Sequence, residues 1–240
     1  MINECIIVGG GLSIRPEIEV LKPILATKFT CLTNYSYKFF NGTFLTFIDK
    51  DFYYPFDLNQ NPDIYNELKQ LPLIIGKQEK ELDNYKLDNT ILVKGRNAFV
   101  KGRELIDGFY TGCLTGVFSL HLVSFLMNYE KIIYLLGFDW NGMLEKNLNY
   151  SPKMDIQIHY YNKEEIKHRG QGYVGYYVNH NADAIFKLFV IPNLKIYNVS
   201  PKSGINCFEK IDYNKFYELL SKEEVNQEDL RKEIKGKIKF

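Results

Sequence analysis

The sequence predicts an α/β fold, a mostly parallel sheet flanked by helices, and three stretches carry that prediction. The first is Glu4 to Val8, a short apolar strand that runs into Gly9-Gly10-Gly11-Leu12-Ser13 and a helix-like segment from Pro16 to Ala26. The second is Thr111 to Gly142, where Leu114-Thr115-Gly116 opens a long apolar helical segment and Lys131 to Leu136 follows as a β-branched and aromatic run. The third is Lys195 to Val199, a strand closed by the turn Ser200-Pro201-Lys202-Ser203. A helix feeding a buried strand is the joint of such a fold, and parallel strands covered on both faces read as continuous apolar runs.

The other elements follow in chain order. Phe29 to Leu32 reads as the second strand, ending at Thr33-Asn34-Tyr35, and Thr43 to Ile48 as the third, ending at Asp49-Lys50-Asp51. Asp63 to Gln70 has helical spacing, Leu71 to Ile75 and Thr90 to Val93 are short strands, and Lys77 to Asp88 is a charged connector. From Leu144 to Tyr177 the chain turns polar and aromatic, and long irregular segments inside a compact domain are commonly lids or binding loops. Residues 143–179 therefore read as a tyrosine-rich lid inserted into one domain spanning 1–240. Asn181 to Val190 is a helix, and the stretch 213–240 holds two more, Tyr213 to Ser221 and Glu223 to Lys235. Mixed charges on the last leave homo-oligomer contact open.

Composition narrows the function. With 240 residues, 45% of them hydrophobic and 25% charged, the chain can bury one sizeable core. A net charge of +1 gives no broad electrostatic case for nucleic acid. Cys5, Cys31, Cys113 and Cys207 are scattered and form no C-x-x-C pair, so neither a zinc cage nor a disulfide framework is indicated. No apolar run approaches the roughly 20 residues of a membrane span and no leader opens the chain, so the expected location is cytoplasmic.

The chemistry-bearing residues gather at predicted strand ends. Gly9, Gly10 and Gly11 let the backbone bend and approach a ligand, and Ser13 can donate its hydroxyl or cap the following helix. The full dinucleotide fingerprint is missing, because it needs glycine where Ile14 stands. Thr115 and Gly116 lie where a helix leaves unpaired N–H groups and partial positive charge, which suits a phosphate; the alternative is an ordinary N-cap. In a parallel sheet Asn34, Asp49 and Asp139 would share one rim with the glycine turn, although Asn and Asp are also common turn residues. Exposed hydroxyls from Ser200 to Ser203 would lie on the same edge. His180 falls near a helix N-terminus, where the dipole favours the neutral imidazole, a useful base for a sugar hydroxyl. His121 reads as a satisfied core residue, and no histidine pair has metal-ligand spacing, so no metal is inferred.

The order of these motifs resembles the bacterial lipooligosaccharide sialyltransferases of glycosyltransferase family 42. The matching pieces are Gly9, Gly11 and Ser13 after the first strand, Asn34, the Thr115-Gly116 turn, Ile132 to Asp139, Tyr177-x-x-His180, and Ile196 to Ser203. The resemblance implies a single Rossmann-like domain with a lid and a CMP-activated sugar donor, without a further cofactor or an obligatory metal. It implies His180 as general base, Tyr177 on the donor, and Asn34 with Thr115 and Gly116 on the nucleotide. Ser200 to Ser203 would contact cytidine or its phosphate. A saccharide acceptor is the expected partner, and a lipid-linked one would bring peripheral membrane association. The chain departs from the pattern at Gly10 and Asp49, where the family has asparagine, and at Asn141, where it has a phosphate-contacting tyrosine.

A second class shares part of the pattern. Proteins similar to 6-hydroxymethylpterin diphosphokinase pair a glycine-rich first turn with strands ending in Asp, and there Asp49 and Asp139 would hold Mg²⁺ on ATP. A non-catalytic nucleotide-binding protein is a third reading, supported by Gly10 and Asn141.

Overall fold

The computed structural model describes residues 3–48, 62–78, 87–101, 107–112, 114–140 and 182–238. Strand β1 (Glu4–Val8) leads through a 3₁₀ segment, Leu12–Glu17, into α1 (Ile18–Thr27), and β2 (Thr30–Thr33) is followed by a second 3₁₀ turn, Asn34–Lys38. Next come β3 (Phe44–Phe47), α2 (Pro62–Lys69), β4 (Ile74–Lys77), β5 (Thr90–Val93) and a two-strand annex of β6 (Gly95–Arg96) and β7 (Phe109–Tyr110). Helix α3 (Thr115–Leu126) feeds β8 (Lys131–Leu136). Helix α4 (Ala182–Phe186), β9 (Leu194–Val199), β10 (Glu209–Lys210), α5 (Tyr213–Leu219) and α6 (Gln227–Ile238) complete the described chain.

The main sheet has eight strands in the order β10-β9-β8-β1-β2-β3-β4-β5, every neighbouring pair parallel. Side-chain alternation divides its core into two layers. Cys5, Ile7, Ile133 and Leu135 face one layer with α3, α4 and α6, while Ile6, Val8, Tyr134 and Leu136 face the other with α1, α2 and α5. Helix α3 is apolar all round because the sheet lies under it and other segments cover it; nearly every residue from Thr115 to Leu126 is buried. From β1 the chain steps outward through β5, then returns through α3 to β8 on the other side of β1 and steps outward again. The strand order therefore reverses between β1 and β8, and ligands of open α/β sheets bind outside the carboxyl ends at such a reversal.

Several boundaries differ from the sequence reading for local reasons. The strand read at Leu71 to Ile75 is Ile74–Lys77, because the Asn89 side-chain amide donates to the carbonyls of Leu68 and Leu71 and holds that segment as the end of α2. The last helix begins at Gln227, not Glu223, because Asn226 Oδ1 accepts the N–H groups of Glu228 and Asp229 as a cap. The helix read from Asn181 to Val190 is α-helical only to Phe186 and 3₁₀ at Lys187–Phe189. His121 is buried, as expected of a core residue: Nδ1 accepts the Tyr110 N–H at 2.7 Å and Nε2 meets the Tyr129 hydroxyl at 2.9 Å. Among the described residues no helix is long and apolar enough to cross a membrane.

Candidate functional site

The reversal brings two loops into direct contact. Gly9 N–H donates to Leu136 O at 2.7 Å and Gly11 N–H to Gly137 O at 2.8 Å, so the β1–β8 pairing continues past both strands. A Cβ on Gly11 would stand 2.6 Å from the Asp139 carboxylate and from Gly137 O, and one on Gly9 would stand 2.7 Å from Gly137 O. The sequence reading reserved this space for a ligand. In the fold, the loop after β8 occupies it.

Asp139 is the hub of that contact, only 3% exposed. Its Oδ2 accepts the Ser13 backbone N–H at 2.7 Å and its Oδ1 accepts the Ser13 hydroxyl. Of the two roles open to Ser13, donation of the hydroxyl is the one seen, and a carboxylate 126 residues away serves the orphan N–H at the start of the first helical segment.

On the β2 side, Asn34 meets Thr115, a pairing that the rim expectation for Asn34 and Asp49 did not include. Thr115 Oγ1 donates to Asn34 Oδ1 at 3.2 Å, across 81 residues of sequence. Asn34 adopts φ 47°, a left-handed conformation that asparagine tolerates better than most residues. Thr33 Oγ1 donates to Val8 O at 2.8 Å, which ties the end of β2 to that of β1. A Cβ on Gly116 would stand 2.8 Å from the Phe138 ring, whose other edge lies 3.1 Å from where a Gly9 Cβ would be. Phe138 thus wedges the glycine turn against the first turn of α3.

On the β9 side the hydroxyls are buried, which corrects the expectation of exposed ones: Ser200 is 0% exposed and Ser203 4%. The turn folds back on the β8 loop. Ser203 Oγ donates to Phe138 O at 2.7 Å and accepts the Ile205 N–H, and Gly204 N–H donates to Asp139 O. Asn198, which the sequence reading passed over, donates from Nδ2 to Phe138 O and to Ser203 Oγ. An amide at a position that alternates with Ile196 on the buried side of the strand was its only signal. Ser200 Oγ and Asn198 Oδ1 have no hydrogen-bond partner among the described residues.

Tyr213, at the start of α5, was also missed. Burial pushes its phenol well above the ordinary value, with the negative charge of Asp139 the next cause and the nearby Ser13 side chain acting the other way, and its hydroxyl has no partner of hydrogen-bond geometry among the described residues. Gly9, Gly10, Gly11, Ser13, Asn34, Thr115, Gly116, Asp139, Ser200 and Ser203 all follow or border the carboxyl ends of β1, β2, β8 and β9. Asp49, Tyr177 and His180, with the lid expected at 143–179, lie outside the described residues. Among the described residues no group of three or more His, Cys, Asp or Glu is gathered.

Helix α4, which begins two residues after His180, starts at the same edge. Asp183 Oδ1 accepts the N–H groups of Asn206 and Cys207, just beyond the Ser200–Ser203 turn, and Phe186 packs on Phe138 and Trp140 at 6.1 and 6.3 Å. Burial alone would raise the Asp183 carboxyl; the bonds from Asn206 and Cys207 outweigh it and hold it below its ordinary value. A carboxylate held down in this way stabilises the fold above its unfolded-state pKa of about 4, and that contribution disappears as pH falls through the lower folded value. Asp183→Asn is expected to be less stable than wild type near neutrality, with the gap in urea midpoint closing toward about pH 3. A gap of the same size at both pH values would rule out this linkage.

The all-parallel sheet with helices on both faces and a single reversal beside a glycine turn makes the chain a Rossmann-like α/β protein. Comparison with family models, with curated proteins and with solved structures finds no match.

Proposed function

We propose that the protein is a cytoplasmic, metal-independent glycosyltransferase that moves a sialic acid-like sugar from a CMP-activated donor to a saccharide acceptor with inversion. The observation that carries the reading is the meeting of Asn34 with Thr115 beside Gly9, at the reversal of strand order. That arrangement puts an amide side chain, whose Nδ2 hydrogens can donate, and the positive end of a 12-residue helix at one edge, which suits a nucleotide phosphate.

In this scheme His180 takes the proton of the acceptor hydroxyl as its oxygen attacks the anomeric carbon. The bond from that carbon to the phosphate oxygen breaks on the opposite face, and CMP leaves with the electron pair. Charge grows on the departing phosphate, and the positive end of α3 would stabilise it. Tyr177 steadies the donor. Asp139 is asked for no metal chemistry, which agrees with both its oxygens being engaged by Ser13.

One observation favours the kinase alternative: a buried carboxylate does stand at the reversal, where Mg²⁺ on ATP would need it. Calorimetric titration separates the two. CMP is expected to bind without added metal, and ATP with Mg²⁺ to give no heat; magnesium-dependent ATP binding with silence toward CMP would replace the transferase by the diphosphokinase. CMP binding without turnover of any donor would leave a nucleotide-binding protein.

A further inference from the structure

Tyr213 presents an unspent hydroxyl at this same edge. It follows β10, whose pairing with β9 sets it at the carboxyl end of the sheet, and Asp212 caps the helix it begins by accepting the Lys215 N–H at 2.8 Å. Phe216, edge-on at 6.4 Å, and Tyr217, at 6.2 Å, flank the ring, so the phenol cannot swing aside without losing its packing. The neighbouring Tyr217 spends its hydroxyl on Glu17 at 2.8 Å. The Tyr213 oxygen is buried and has no partner among the described residues, while Asp139 and Ser13 are its polar surroundings. A buried hydroxyl left unpaired is costly, and few native groups remain so without a use.

We propose that Tyr213 is a ligand-positioning residue, donating its hydroxyl hydrogen to a ribose oxygen of the bound nucleotide beside Asp139. This rests on the nucleotide-site reading given above. The neighbouring charge selects the ligand group: a phosphate next to the Asp139 carboxylate would be repelled. A ribose hydroxyl suits both partners, because its oxygen accepts from the phenol while its hydrogen points to a remaining lone pair of Asp139. Burial keeps the phenol a neutral donor, and its shielding from water makes one hydrogen bond count for more. The phosphate then falls on the far side of the glycine turn, at the start of α3.

The test crosses one variant with one change in the ligand, Tyr213→Phe against CMP and 2′,3′-dideoxy-CMP, by calorimetry. The variant is expected to bind CMP about 3- to 10-fold more weakly than wild type and to bind the dideoxy nucleotide as wild type does. Its Tm should stay near that of wild type, since the hydroxyl has no hydrogen-bond partner of good geometry among the described residues. An unchanged CMP affinity overturns the proposal, as does an equal loss for both nucleotides or a lowered Tm. A wild-type protein that binds no CMP removes the nucleotide reading itself. A wild type that binds CMP, with a variant that matches it, removes only the role of Tyr213.

Discussion

Changing His180 to alanine is expected to slow sugar transfer by roughly 10²–10⁴-fold while CMP binding stays at the wild-type level, the usual effect of deleting a general base. A sugar hydroxyl is a poor nucleophile until its proton is accepted, so the base acts on the transition state and not on donor binding. Helix α4 begins at the carboxyl edge, where Asp183 accepts the N–H groups of Asn206 and Cys207. Turnover is read from CMP release and affinity from calorimetry. Full activity in the variant would remove the assignment, and a parallel loss of CMP binding and thermal stability would point to a structural part for His180.

Replacing Gly11 with alanine is expected to destabilise the fold by about 2–3 kcal/mol, the cost of overpacking a tight site. For a chain of this size that lowers Tm by about 5–10 °C. The new methyl would lie 2.6 Å from both the Asp139 carboxylate and Gly137 O, and the second of these is backbone that cannot rotate away. Relief requires the loops after β1 and β8 to part, which breaks the pair of bonds between Ser13 and Asp139. CMP binding should weaken with stability, because the same loops border the edge proposed for the nucleotide. A Gly11→Ala protein with wild-type Tm would show that the loops separate freely.

The two experiments probe parts of the site that differed in how legible they were. Strands β1, β5 and β8 have the bounds read from sequence, because a strand buried on both faces must be apolar along its length and turn residues mark its ends. That Asn34 borders the same rim as the glycine turn was legible for a related reason: parallel strands place all their carboxyl ends on one side. The purpose of each group at that rim was not. Gly9 was read as an opening for a ligand and Gly116 as part of a phosphate-binding helix start, and both leave room for Phe138. Ser200 and Ser203 were read as exposed, and both are buried where the β9 turn folds onto the β8 loop.

What the sequence determined by itself was the class of fold, the order of its longer elements and the edge on which small and polar residues collect, since these follow from hydrophobic periodicity and turn chemistry acting over a few residues. Lys195 to Val199 reads as the last strand, and the two-residue strands β6, β7 and β10 carry too short a pattern to be read. What only the tertiary structure decided was which of those residues hold one another. Ser13 and Asp139 are 126 residues apart, Asn34 and Thr115 are 81 apart, and Tyr213 reaches the same crevice from the far end of the chain. Such pairings depend on where the strand order reverses, and no local pattern encodes the distance between two residues that the sheet alone brings together.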